Sequence, residues 1–184
     1  MAAGAVDNRP RYRHRLEGGA MAVMSAVDHE LARGGVKAYA ALPKGTAFVV
    51  TLFDVDKAEV EAVIEADKLG QLRTGAASGV AAKYLAKEGA TTLGILGCGW
   101  QAESQVACIR EAVPTIENVV AYCRTEKSLK RFCRKVKSEA GETSGRASPD
   151  DIVLFKSNGL AAWDVAIATM AVELARERGV GREL

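Results

Sequence analysis

The sequence predicts an α/β fold, and three observations carry that expectation. The apolar run Leu93-Gly94-Ile95-Leu96 stops at Gly97-Cys98-Gly99, and the small residue Ala102 then opens a segment of helical character. A second apolar run, Val119-Val120-Ala121-Tyr122-Cys123, follows once that helix has been closed ahead of Pro114. In the first half, Ala47-Phe48-Val49-Val50-Thr51-Leu52-Phe53 is rich in the β-branched and aromatic residues of strands. Strand, glycine turn, helix and strand in that order describe a parallel α/β unit, and further strands precede it.

A chain of 184 residues fits one domain or two small ones. No run approaches the roughly 20 consecutive apolar residues of a membrane-spanning helix. Met1-Ala2-Ala3-Gly4 lacks the charged start and long apolar stretch of a secretion signal, so a cytoplasmic protein without a membrane partner is expected. A formal net charge of +2 gives no electrostatic reason to expect nucleic acid. The four cysteines, Cys98, Cys108, Cys123 and Cys133, form no CxxC pair and are expected as free thiols, with no metal site.

In chain order, Met1 to Pro10 reads as frayed, and Arg11 to Arg15 alternates as a basic, extended segment. Gly18-Gly19 turns the chain into the apolar run Ala20 to Val27. Gly34-Gly35 then leads into a strand, Val36 to Leu42, that carries one charge, Lys37, in apolar company. That lysine is either at a sheet edge with its head in water or directed into a site as an acid or base. After the turn at Asp54 to Asp56, Ala58 to Ala66 suits a short helix or a broken hairpin partner, and periodicity does not decide between them. A helix is expected from about Leu72 to Lys87, its small residues permitting close approach to a neighbour, with Gly89 ending it. Arg73 then falls in the first turn, where the helix dipole disfavours a cation unless an anion is near; the alternative is a plain surface arginine.

At the glycine turn the chemistry becomes specific. Gly97 supplies a bend that a side chain would obstruct, Gly99 lets backbone approach a pyrophosphate, and Ala102 is small where helix packs on strand, as in a Rossmann dinucleotide-binding unit. Trp100 and Gln101 lie within the turn and the first helical residues, whose N–H groups offer a positive dipole end to phosphate. At the end of the next strand an acidic residue would bind the ribose 2′-hydroxyl of NAD. Arg124 and Thr125 stand there instead, which favours NADP(H) over NAD(H). The following helix has a basic face from Lys127 to Lys137, with Lys127 near enough to assist Arg124. Ser138 to Ser148 reads as a polar loop where a third strand belongs, Asp150 to Phe155 as a strand, and Ala161 to about Arg178 as a last helix with Val165, Ala168, Val172 and Ala175 on one face.

The segments GGVKAYAALP, QLRTGAASGVAAKYLA, TLGILGCGWQAESQ, the strand ending YCRT and SPDDIVLFKSNGLAAWDVA, in this order, resemble the ornithine cyclodeaminase and mu-crystallin family. The resemblance implies an α+β substrate and dimerisation domain, residues 1–89 with 150–184, and a Rossmann-type dinucleotide-binding domain, residues 90–149, shortened in its later part. It implies NAD(P)-dependent chemistry on a small amino or cyclic imino acid, in a homodimer: ornithine cyclodeamination, ketimine reduction or alanine dehydrogenation. Arg11, with Arg13 as the alternative register, resembles the arginine that holds the substrate carboxylate, and Arg73 a second one. Lys37 resembles the lysine that assists proton transfer, Thr74 would face the cofactor phosphates, and Ser157, Asn158 and Gly159 would lie near the nicotinamide. Two departures stand out. Ala22 occupies the place of a glutamate found in members active on ornithine, and the segment with the family's catalytic aspartate has no counterpart. The second departure leaves a non-catalytic remnant or binding protein as the alternative reading, with turnover expected to be weak or lost.

Overall fold

The computed structural model describes residues 4–140 and 161–182. In chain order the elements are β1 (Val6–Asn8), β2 (Tyr12–Leu16), β3 (Gly19–Asp28), β4 (Arg33–Leu42), β5 (Gly45–Asp54), β6 (Glu59–Glu65), α1 (Asp67–Leu85), β7 (Thr92–Leu96), α2 (Trp100–Ala112), β8 (Asn118–Tyr122), α3 (Glu126–Ala140) and α4 (Ala161–Glu177). They form two compact units, Met1–Gly70 with Asn158–Leu184, and Gln71–Ser157. The strand expected at Asp150 to Phe155 and the turn Ser157-Asn158-Gly159 lie outside the described residues.

The first unit is a six-stranded antiparallel sheet in the order β1-β3-β4-β5-β6, with β2 also paired to β3. Period-2 alternation decides its two faces. Ala22, Met24 and Ala26 on β3, with Val50 and Leu52 on β5, are buried against α4, which contributes Ala161, Ala162, Val165 and Ala168 to the same core. Full burial of a side chain such as Val165 contributes about 1.5–3 kcal/mol. Gly35 makes this helix-on-sheet contact close enough, because a Cβ there would stand 2.6 Å from Val165 Cγ2. Gly35→Ala is therefore expected to destabilise the unit by about 1–3 kcal/mol, the usual cost of overpacking. Adding Val165→Ala should recover part of that loss in chemical denaturation. Purely additive losses would exclude the contact as the cause.

Several expectations change here. The start of the chain is not frayed throughout: β1 pairs with β3, and Asn8 Oδ1 accepts a 3.2 Å hydrogen bond from the backbone N–H of Ala162 in the first turn of α4. That capping contact supplies one of the partners that a helix N-terminus lacks. The undecided segment after Asp54 is a strand, β6, in register with β5 apart from one irregularity at Leu52/Phe53. Its turn and the β3–β4 turn share one design. Asp28 Oδ1 accepts from the N–H groups of Glu30 and Leu31, and Asp54 Oδ1 from those of Asp56 and Lys57. In each, the fourth residue after the aspartate, Ala32 or Ala58, has positive φ. The backbone N–H of Lys57, helped by the Arg33 and Lys57 charges and opposed by burial, holds the Asp54 carboxyl below the usual range. Arg33 is paired with Asp54 at 3.4 Å and with Glu61 at 2.5 Å, and Glu61 also receives Arg176 of α4 at 2.8 Å.

In the second unit β7 and β8 run parallel in register, Leu93 beside Val119 and Leu96 beside Tyr122. Leu93, Ala102, Val106, Val119, Phe132 and Val136 form a core that α2 and α3 cover. The approach of α1 to a neighbour is realised at two glycines. A Cβ at Gly75 would lie 2.4 Å from Ser104 O, and one at Gly79 would lie 2.6 Å from Cys108 O. α1 begins at Asp67, so Arg73 lies in its second turn and the acidic Asp67 occupies the first. The dipole therefore favours the residue that is present, and its case for an anion at Arg73 falls away.

Candidate functional site

Lys37 lies on β4, between β3 and β5, paired with Met24 on one side and Val50 on the other. The edge-strand alternative is thereby excluded: the side chain faces α4 and is buried. Its Nζ lies 2.7 Å from Asp164 Oδ1, with the two side chains 3% and 2% exposed. Asp164 is in the first turn of α4, where the helix dipole favours a carboxylate. A charge this deeply buried persists only when it is paired and hydrogen-bonded. The pair thus accounts for an ammonium inside an apolar sheet-and-helix layer.

Around the pair stand two aromatic rings and a guanidinium. Lys37 Nζ is 5.3 Å from the Phe48 ring centroid, and Phe48 is 5.2 Å from Tyr39 on the neighbouring strand. Arg11 lies over the Tyr39 ring at 5.9 Å. Arg11, Tyr39, Phe48, Lys37 and Asp164 therefore form one connected group, in which a cation at the rim leads over two rings to a buried ion pair. Ala22 pairs with Tyr39 on this face and is fully buried, so its position offers no charge to a substrate side chain. Asp164 is the residue that sequence reasoning passed over. Its signal was present in WDVA, where an acid interrupts the apolar face of an amphipathic helix.

The second unit holds the glycine turn. Gly97 has φ +99, a left-handed conformation that a side chain disfavours, and its N–H donates to Tyr122 O at 2.8 Å. Gly99 is the N-cap of α2 in extended conformation (φ −84, ψ −179), with no side chain capping the turn among the described residues. A Cβ built at either glycine meets nothing within 4 Å. Ala102 is buried under the turn, Gln101 is exposed and Trp100 is 47% exposed.

Gln71, fully buried on α1, donates through Nε2 to the carbonyl of Trp100. Ser104 Oγ donates to Gln71 O at 2.9 Å, tying the same two helices again. Gln71 was not singled out by sequence, and a polar residue at a buried helical position is the sign that marks it. Arg73 and Thr74 follow on α1, both half-buried.

At the end of β8, Arg124 is exposed. Thr125 shares its hydroxyl with Ser128 Oγ at 2.9 Å and accepts from the Ser128 N–H at 3.4 Å, so it also starts α3. The open space over Gly97 and Gly99, the uncapped first turn of α2 and an exposed guanidinium beyond β8 fit a dinucleotide's pyrophosphate and ribose. The four cysteines are free thiols, and no helix among the described residues is long and apolar enough to cross a membrane.

Residues 1–140 match the model of the ornithine cyclodeaminase/mu-crystallin family. A delta(1)-pyrroline-2-carboxylate reductase of Bacillus cereus is 36% identical over 127 residues, covering 65% of this chain and 39% of the relative. Among solved structures, an archaeal alanine dehydrogenase dimer with bound NAD superimposes with a TM-score of 0.71 at 28% identity, covering 78% of this chain and 46% of that one. The Thermococcus litoralis delta(1)-pyrroline-2-carboxylate reductase in complex with NADH and L-proline gives a TM-score of 0.87 over 98% of this chain and 90% of that one; at 20% identity it speaks to the fold, which is thus the α/β, Rossmann-type fold expected. The chain spans about two fifths of the length of the curated relatives it matches. By its sequence match and its fold, the chain belongs to the ornithine cyclodeaminase/mu-crystallin family.

Proposed function

We propose that this protein is an NAD(P)-dependent oxidoreductase acting on a small amino or cyclic imino acid. The observation that carries this reading is the glycine turn, where Gly97 and Gly99 leave clear space above the first turn of α2 at the end of a parallel strand pair. The relatives support it by name, being a pyrroline-2-carboxylate reductase, an alanine dehydrogenase and an iminosuccinate reductase.

In this reading, backbone N–H groups of Trp100 and Gln101 bind the pyrophosphate, and Gln71 holds the Trp100 carbonyl so that the turn keeps its shape. Bound there, the dinucleotide supplies or accepts hydride at its nicotinamide. Arg11 and Arg73 bind and orient the substrate carboxylate, for which planar guanidinium groups are suited. Lys37 holds the proton exchanged with substrate nitrogen, and Asp164 keeps it charged in a layer that excludes water. Thr74 contributes on the cofactor side, and Ser157, Asn158 and Gly159 are assigned to the nicotinamide. Arg124 with Thr125 favours NADP(H). The homodimer forms through the sheet face opposite α4, where Met21, Val49, Val60 and Val63 expose 41%, 38%, 55% and 54% of their surface. Unpaired apolar faces of this kind mark association surfaces.

The test is titration with NADPH and NADH, read from Trp100 fluorescence, followed by NADPH oxidation with pyrroline-2-carboxylate. Arg124→Ala should weaken NADPH more than NADH by about 1.5–3 kcal/mol, the scale of a hydrogen bond to a charged group. Equal losses for both cofactors would remove the NADP(H) preference. Failure of both cofactors to bind the parent protein would remove the oxidoreductase reading.

A further inference from the structure

The residue between the two glycines has no part in the reading above. Cys98 is buried under the turn, in the core formed by β7, β8, α2 and α3, and Cys123, immediately beyond β8, packs against the same core. Parallel pairing brings the two together: Gly97 N–H binds Tyr122 O at 2.8 Å, and the Cys98 thiol donates to that same carbonyl at 3.7 Å. Cys123 follows Tyr122 directly, so both thiols stand at the same end of the strand pair.

Their surroundings differ in a useful way. Cys123 is half-buried rather than sealed. The backbone N–H groups of Thr125, Cys98 and Arg124, that of Thr125 first, draw its thiol below the ordinary value, whereas burial pushes the Cys98 thiol up to about 11. Cys123 is thus the more acidic of the two thiols and the more open to solvent, and Cys98 lies behind it in the core. Attacking and resolving cysteines have this division of roles.

We propose that Cys98 and Cys123 form a reversible dithiol–disulfide couple, oxidised by hydroperoxides, that clamps the glycine turn to the end of β8. The Cys123 thiolate attacks one peroxide oxygen, the O–O bond breaks, and the leaving oxygen departs as hydroxide or alkoxide, giving a sulfenic acid. The Cys98 sulfur then attacks the Cys123 sulfur. The S–O bond breaks, and hydroxide leaves with the Cys98 proton as water. Two electrons pass from the pair of thiols to the peroxide, which is reduced to water or alcohol. A dithiol reductant reverses the bond by thiol–disulfide exchange.

The experiment is hydrogen peroxide treatment of the full chain, followed by peptide mapping without reduction. The expected product is a Cys98–Cys123 cross-link, removed by dithiothreitol and formed equally well in Cys133→Ser. Cys98→Ser should yield no cross-link but a Cys123 sulfenic acid captured by dimedone, a readout that fails if Cys123 is merely a packed side chain. A Cys123–Cys133 bond, or oxidation that spares Cys123, overturns the proposal. One further arm rests on the dinucleotide reading: oxidised protein should bind NADH at least tenfold more weakly than reduced protein. If reduced protein binds neither NADH nor NADPH, that reading fails, while the cross-link map still decides the thiol couple.

Discussion

Asp164→Ala should be among the most damaging single substitutions in this protein. It leaves the Lys37 ammonium buried, 3% exposed, without the carboxylate that stands 2.7 Å away. Breaking a buried pair in this way costs about 3–5 kcal/mol, because desolvation of the remaining charge is no longer offset. Replacing both partners by apolar residues of similar volume, Lys37→Met with Asp164→Leu, should return stability to within about 1 kcal/mol of the parent or better, since the penalty belongs to the buried charge that has lost its carboxylate and not to the volume. Urea denaturation of the parent, the single variant and the double variant measures this directly. Turnover, where the parent has it, should be lost in the double variant despite its stability, which separates the chemical role of the pair from its structural one. If Asp164→Ala were within about 1 kcal/mol of the parent, the pair would have to be more solvated than its burial states.

Gly99→Val should have the opposite character, with a small effect on folding and a large one on binding. The backbone at Gly99 is extended, φ −84 and ψ −179, which any residue adopts, and a Cβ there meets nothing within 4 Å. The expected cost in stability is that of a poorer N-cap, about 1 kcal/mol. A branched side chain would nevertheless occupy the space proposed for the pyrophosphate, so NADH affinity should fall at least about a hundredfold, or ~2.7 kcal/mol. Gly97→Ala would not discriminate so cleanly, because φ +99 strains any side-chain-bearing residue and both folding and binding would suffer. Unchanged NADH binding in Gly99→Val would place the dinucleotide away from this turn.

What the sequence determined by itself was local. The spacing of apolar residues, the glycines and Pro114 fixed β7, the turn, α2 and β8 to within a residue or so, because a parallel α/β unit writes its torsional demands into neighbouring positions: positive φ at Gly97, a small residue at Ala102. The last helix was legible for the same reason, its buried Val165 and Ala168 recurring at helical spacing. The start of α1 was misplaced by one turn and more, since Asp67 to Gln71 mixes polar and apolar residues in a way that only packing resolves. β1 was not legible as a strand and β6 was left undecided between helix and hairpin partner, because each is specified by its partner, β3 or β5, rather than by its own pattern. The tertiary structure alone decided the fate of Lys37. Strand order put β4 inside the sheet and not at its edge, and the partner that makes burial of its charge tolerable is 127 residues away. Local periodicity cannot specify a contact of that separation, since the free energy of an ion pair depends on distance in space and on exclusion of water, and both arise only when α4 packs across the sheet.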